Sequence, residues 1–390
     1  MMMLNPHGGA GEALPAPREP AFDQLRALAM LVGVLFHAAL AYSPLASPVW
    51  PTADRQHWVG VDVLIWLPHL VRMPLFFLVA GYFTAALLVR RGMAGLARQR
   101  LRRVLLPFLL AWPLVHFSLS ASTEWALLHV QQPSEFLRMV QAWLAQADRP
   151  HLPPGTGHLW FLPYLLLFSL MVWIGRSLAW SGVLDRWLAL DLRAVALGLP
   201  LLLLPGFALT SAPHPAPESL LPQLWAIALY GPFFALGFGL YGRLERLALL
   251  RVWLWPGLVA CLLLYLLFLK QLGLHLRGLA EFGSSPASLH TPIHLALLQA
   301  MIAAWATLAC LLAGLRWCNR PRGWLRYLAA SAYWTYLLHL PVVVAVQYVL
   351  MDGAWPWPVK WAATVLITLA LCLVSYEFIV RRTRLRAWVG

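Results

Sequence analysis

Ten stretches of mainly apolar residues follow one another along the chain, near 24–44, 58–89, 104–121, 158–175, 194–210, 222–242, 252–269, 293–315, 328–350 and 359–380, each bounded by Arg, Pro or Gly clusters. A helix needs about 20 such residues to cross a hydrocarbon core of roughly 30 Å. The pattern therefore predicts an all-α, polytopic membrane protein of about ten transmembrane helices. The composition, 61% apolar and 11% charged, departs from the roughly 45–50% and about 25% of soluble domains in the direction this requires. A soluble globular enzyme, a disordered chain and a collagen-like repeat are excluded on the same grounds. The formal charge of +14 would point to nucleic acid if the basic residues formed one patch among polar ones, but they lie in short clusters between apolar runs. Membrane lipid is the expected surrounding, and no nucleic-acid partner is expected.

Ten crossings put both termini on one side, and cytoplasmic loops collect Arg and Lys. With a cytoplasmic N-terminus, 21 of the 29 Lys and Arg fall in inside segments and 6 in outside segments. One missed helix would invert every later loop, so this bias favours both the count and the orientation, with both termini cytoplasmic. Residues 1–22 carry Pro, Gly and Glu but no apolar core, and read as a disordered cytoplasmic segment rather than a cleaved signal. Residues 23–381 form one membrane domain and 382–390 a basic cytoplasmic tail. The longest outside loop, near 122–157, holds an amphipathic stretch at 136–144 and a turn-rich end at 150–157, the pattern of a lid or interfacial helix. Cys261, Cys310, Cys318 and Cys372 lack metal-ligand spacing and read as packing residues, so no metal is expected.

An ionisable side chain within a span costs at least about 2.5–3.5 kcal/mol at the helix centre, so each one is a functional candidate. Arg26 and His37 stand eleven residues apart in the first stretch, a spacing that returns to within about 20° of the same helix face after a rise of roughly 16 Å. Two readings of each remain open: a ligand-lining stripe, or an Arg26 paired with Asp23 at the membrane edge and a His37 bonded to a neighbouring helix. His69 and Arg72 share a face near the outer interface, fit to hold an acceptor or to reach headgroups. Arg100 and Arg103 are i,i+3 neighbours in the inner basic cluster, where guanidinium forks suit either a phosphorylated cosubstrate or anionic lipid. His158 and Trp160 open the fourth stretch, His339 lies within the ninth beside Pro341, and Glu377 stands near the inner end of the tenth. His57 and Asp62 match the H-x4-D spacing of glycerolipid acyltransferases, but on the side away from cytosolic acyl-CoA. No Walker loop, G-x-S-x-G elbow or H-E-x-x-H is present.

Several of these residues fall into a known order. Arg26 and His37; Phe76-Phe77 with Gly81; Arg100, Arg103 and Pro107; His158-Leu-Trp160-Phe-Leu; and Ser331 through Tyr336 to His339-Leu-Pro341 together resemble the acyltransferase-3 family of integral membrane O-acyltransferases. The segment from Arg72 to Phe77 and the ending Ser375-Tyr-Glu377-Phe look most like the branch called glucan biosynthesis protein C. The resemblance implies a ten-helix core in the cell inner membrane and an acyl group taken from cytosolic acyl-CoA, with no permanently bound cofactor. It implies delivery of that group to a sugar hydroxyl on the other side, succinyl and a periplasmic glucan being the branch's implication and acetyl close behind. It also implies that His37 and Arg26 are the essential residues and that Arg100 and Arg103 contact the CoA phosphates. The sequence departs from common members in the second stretch, where Asp-Phe-Phe before Ser-Gly is replaced by Arg72-Met-Pro-Leu-Phe-Phe and Ala80-Gly81. It also lacks the fused esterase-like domain of some members, which implies direct transfer to the acceptor.

These readings combine into one expectation. The CoA phosphates stay at the inner arginines, the pantetheine arm passes Arg26, and His37 acts as general base on a hydroxyl arriving from outside or, as the other reading, carries the acyl group as an acyl-His intermediate. His69, Arg72, His158, Trp160 and His339 hold the acceptor. A transporter or flippase is the alternative, since intramembrane Arg and His also mark transport pathways, although no pair of similar halves is visible.

Overall fold

The computed structural model describes residues 19–148, 154–177, 191–282, 290–318, 320 and 322–389. Most of the expected disordered segment, the first part of the turn-rich 150–157 stretch, and Arg18, Arg149 and Arg186 of the charge count lie outside these residues.

The described regular structure is helical throughout. In chain order it comprises α1 (Pro20–Ala39), α2 (Val59–Arg100), α3 (Leu106–His129), α4 (Glu135–Leu144), α5 (Phe161–Ser177), α6 (Leu192–Ala208) and α7 (Leu224–Leu240), followed by α8 (Leu254–Phe282), α9 (Ile293–Trp317), α10 (Gly323–Leu350), α11 (Trp357–Ser375) and the short α12 (Arg386–Val389). A 3-10 turn, Leu40–Tyr42, extends α1, and π-helical turns follow α2 (Leu101–Leu105) and α11 (Tyr376–Arg381). Among the described residues, 7 helical runs are long and apolar enough to cross a membrane, one of them the 71-residue Val59–His129 that contains both α2 and α3. α6 and α7 are apolar but only 17 residues long.

The basic segment expected to loop between the second and third stretches is instead helical on both sides of a single break. Only Gly92 interrupts it, at φ 62° and ψ −172°. Met, Ala, Leu, Gln and Arg dominate residues 93–103 and are good helix formers, so nothing but the glycine stops the helix. The expected amphipathic stretch forms α4, whose first turn is capped by Ser134 Oγ accepting from Leu137 N at 3.1 Å.

The chain runs up and down between two ends. One, the basic end, carries the start of α1 and the arginines after Gly92; there Gln24 Nε2 donates to the carbonyls of Cys318 and Arg320 at 2.8 and 3.0 Å. The other carries the 43–58 segment, α4 and the turn after α10; there Gln131 N donates to the Asp352 carboxylate at 2.8 Å. α1 and α9 are the most enclosed of the spanning helices and α8 the least. α2 and α7 touch backbone to backbone: a Cβ on Gly81 would strike the Phe234 carbonyl, and one on Gly237 the Leu78 carbonyl. Without water to drive helices together, such small-residue contacts supply the packing. Beside this seam Phe77 stacks among Phe161, Phe168, Trp160 and Tyr230, with centroids 4.8 to 6.0 Å away.

Candidate active site

α1 delivers Arg26 and His37, α2 delivers His69 and Arg72, α10 delivers Tyr333, Tyr336 and His339, and the 3-10 turn Gly157–Trp160 delivers His158. Helical periodicity accounts for each group. Residues 69 and 72 are three apart, as are 333, 336 and 339, so each set lines one face.

The histidines converge. The His37 ring lies 5.3 Å from His339, and His339 lies 5.1 Å from His158. Phe36 links this trio to a second group, its ring 5.0 Å from His37 and stacked 5.3 Å from His69, which in turn lies 4.4 Å from His214. Three of the rings are oriented by the main chain. His339 Nδ1 faces the carbonyls of Thr335 and Tyr336 at 3.1 and 2.9 Å, His158 Nε2 that of Tyr336 at 3.0 Å, and His69 Nε2 that of His214 at 2.8 Å. A carbonyl oxygen only accepts, so the nitrogen facing it carries the proton, and in the neutral ring the other nitrogen is an acceptor. The acceptor nitrogens are thus Nε2 of His339 and Nδ1 of His158 and His69. His37 differs in making no such bond among the described residues; its Nδ1, like those of His158 and His69, is buried without a protein partner.

Arg72 enters the same region from α2. Its guanidinium carbon lies 4.9 Å from the Phe36 ring centre, and a Cβ added at Gly33 of α1 would sit 2.9 Å from one of its terminal nitrogens. It is therefore held against α1 inside the bundle rather than extended to headgroups. Arg72 Nε is buried without a protein partner, and among the described residues no carboxylate forms an ion pair with it. Its charge acts on His37, His339 and His158.

Towards the basic end, Arg26 pairs with Asp23 at 3.4 Å, as one sequence reading held, and also donates to the Ala329 carbonyl at 3.1 Å. Its Nε remains buried without a protein partner. Arg100 and Arg103 do not form one fork. Arg100 turns inward and donates to Ser169 Oγ at 2.8 Å, to Gln99 Oε1 at 2.9 Å and to Thr84 Oγ1, whereas Arg103 is exposed and donates to the Ala387 carbonyl at 3.1 Å. Arg100 ends α2 and Arg103 lies within the π-helical turn Leu101–Leu105, whose wider repeat separates side chains that a continuous α-helix would align. Tyr333 lies within electrostatic reach of Arg100, and its hydroxyl is buried without a protein partner. Arg26, Tyr333, Arg72 and the histidines thus mark a series of buried polar atoms between the basic end and His37.

The remaining sequence candidates lie elsewhere. Trp160 is buried in the aromatic seam, 5.1 Å from Tyr230 and 6.0 Å from Phe77. Asp62 accepts from Ser43 Oγ and Trp66 Nε1, and His57 is exposed, so the H-x4-D residues do not hydrogen-bond to each other. Glu377 pairs with Arg381 and Arg382 at 2.9 and 3.4 Å.

Sequence reasoning missed Gln347. Its Nε2 donates to the carbonyls of His37 and Ala38 at 3.2 and 2.9 Å, and its Oε1 accepts from Trp50 Nε1 and Thr52 Oγ1 at 3.0 and 2.8 Å. Trp50 in turn stacks on His37, centroid to centroid 5.5 Å. A neutral amide in an apolar stretch is the available signal, less conspicuous than an ionisable group there. His214, in a loop by sequence, carried no signal.

These features define a multi-pass helical membrane protein with a buried histidine and arginine site between its helices. Residues 19–377 match the family described as "Acyltransferase domain" (Acyl_transf_3), and the chain belongs to that acyltransferase-3 family, as the ordered motifs implied. Glucans biosynthesis protein C of Escherichia coli K12 is 31% identical over 170 residues, which are 42% of this chain and 41% of that protein. The protein of the same name from Escherichia coli O6:K15:H31 is 30% identical over 174 residues, with the same two shares of 42% and 41%. The match thus spans about two-fifths of the length of these curated relatives. No solved structure matches the chain.

Proposed function

We propose that the protein is a transmembrane O-acyltransferase of ten crossings with cytoplasmic termini, resident in the inner membrane. It moves an acyl group, succinyl or acetyl, from cytosolic acyl-CoA to a hydroxyl of an extracytoplasmic carbohydrate such as a periplasmic glucan. The observation that carries this reading is the convergence of His37, His158 and His339 beside Arg72, with unpartnered polar atoms continuing towards the basic end.

In this reading the CoA phosphates remain with Arg103 and its exposed neighbours, where they need not be desolvated, and the thin pantetheine arm runs past Arg26 and Tyr333. His37 removes the proton of the acceptor hydroxyl as its oxygen attacks the thioester carbonyl. The carbon–sulfur bond breaks as the ester bond forms, and the CoA thiolate leaves and takes up the proton. Arg72 offers donors in a water-poor site, suited to the developing oxyanion or to the free carboxylate of a succinyl group. His158 and His339, their rings fixed by the main chain, accept from the other hydroxyls of the sugar.

The name of the Escherichia coli relatives supports glucan as the acceptor class. The test is a transfer assay with purified protein in lipid nanodiscs, labelled acyl-CoA and a soluble gluco-oligosaccharide. Ester-linked label on the sugar is the expected result. Label that stays on CoA while a solute crosses sealed vesicles would instead make Arg26 and His37 transport residues.

A further inference from the structure

At the end of the bundle opposite the arginine clusters lies a half-open cavity of about 250 Å3, lined among others by Arg55, His57, Glu135, Arg138 and Asp352. Its residues come from three separate segments: the stretch between α1 and α2, the start of α4, and the turn after α10. They are tied together firmly. Ser134 Oγ donates to the Pro51 carbonyl at 2.6 Å, Asp352 accepts from the Gln131 and Gln132 amides at 2.8 and 3.3 Å, and Asp54 forms a fully buried pair with Lys360 at 2.6 Å. The cavity is therefore built into the fold, and is not a gap between loose loops.

We infer that this cavity is the docking site for the carbohydrate acceptor, holding one part of the chain while a neighbouring hydroxyl reaches His37. The inference rests on the acyltransferase reading and adds to it a binding site remote from the histidines. Two observations carry it. The first is position: the segment that forms one wall of the cavity, from Ser47 to His57, also carries Trp50, whose ring stacks on His37. The cavity and the reactive histidine thus share contacts with one short stretch of chain, held by Gln347 through Trp50 and Thr52.

The second is chemistry. A sugar presents hydroxyls that each donate and accept, so its site must offer both kinds of partner. Glu135 accepts, while Arg138 and His57 donate; Arg55 and Asp352 are ion-paired to each other at 3.9 Å and form one edge of the cavity. Opposite signs are interspersed, and Asp54 is already neutralised by Lys360, so the lining selects neither a polyanion nor a polycation. The side chains of Glu135 and His57 are exposed, and neither is hydrogen-bonded to another described residue. Arg138 uses one terminal nitrogen on the Pro133 carbonyl at 3.0 Å.

The experiment uses the full chain in nanodiscs, with Glu135→Gln, Arg138→Gln and His57→Ala made singly and together, and with a soluble gluco-oligosaccharide and labelled acyl-CoA. All three side chains are exposed, so the variants should fold. The expected result is a KM for the oligosaccharide raised about tenfold in the triple variant, with kcat and the KM for acyl-CoA within about twofold of wild type. An unchanged sugar KM in an active triple variant overturns the inference and leaves the acyltransferase reading intact. A wild type that transfers to no sugar removes that reading and this inference with it. If the loss instead follows the fraction of phosphatidylglycerol in the nanodisc, the cavity is a headgroup site and the inference is wrong.

Discussion

At the scale of single residues, the site depends on side chains whose partners are main-chain carbonyls. Tyr336 is the clearest case: its carbonyl accepts from both His158 and His339, and its own hydroxyl donates to the His158 carbonyl at 2.8 Å. Gln347 plays the matching part for His37 and Trp50, using both amide atoms twice. Replacing it with Leu keeps the volume but strands two donors and two carbonyls, and each buried unsatisfied group costs about 1–3 kcal/mol. Gln347→Leu should therefore lower thermal stability and reduce kcat at least about tenfold. Thermal shift and steady-state rates on the same preparations would check this, and a Leu variant with unchanged kcat would deny Gln347 a positioning role. The sequence pointed to Arg26, His37, Arg72 and His339 because a charge or imidazole within an apolar stretch is conspicuous. It did not point to the direction in which Arg100 turns, because that depends on a local π-helical turn that no residue type announces.

At the scale of helices, the starts of the apolar stretches were readable to within a few residues, since length and hydropathy define them, whereas α3 and α8 run past the expected ends at 121 and 269 to His129 and Phe282. What could not be read was the interval from residue 90 to 103, where the arginine cluster suggests a loop and the structure keeps a helix apart from Gly92. Positive-inside charge is a statement about side of membrane and says nothing of backbone conformation. The two glycines at the α2–α7 seam make a sharper prediction. A side chain at Gly237 must displace the Leu78 carbonyl, while a Cβ at Gly198 in α6 meets nothing within 4 Å. Gly237→Val should therefore abolish recovery of monodisperse protein from detergent. Gly198→Ala should be neutral or stabilising by up to about 1 kcal/mol, the helix-propensity difference. Size-exclusion profiles of the two variants would decide, and equal behaviour would mean that the close α2–α7 contact does not support the fold.

At the scale of the molecule, the fold gathers polar groups from distant parts of the chain into one interior and leaves lipid-facing surfaces apolar. His214, in the segment joining α6 to α7, belongs to that interior: burial first, and then the nearby His69 and Arg72, hold its imidazole well below its usual range. The folded protein keeps this ring neutral, whereas the unfolded chain takes up a proton as pH falls through about 6.5. The unfolded state then binds more protons, so stability is lost on the acid side of that value and retained above it. Thermal unfolding of the protein against pH should show that fall, and His214→Asn should remove part of it; an identical profile in the variant would contradict the assignment. The central claim concerns His37, the one ring of the trio with no bond to a main-chain carbonyl among the described residues. The most direct measurement is ester-linked acyl transfer from labelled acyl-CoA to a gluco-oligosaccharide by wild type and His37→Ala, each purified as a folded, monodisperse protein. The account predicts label on the sugar with wild type and a loss of at least about a hundredfold in the variant. Full transfer by His37→Ala would contradict it.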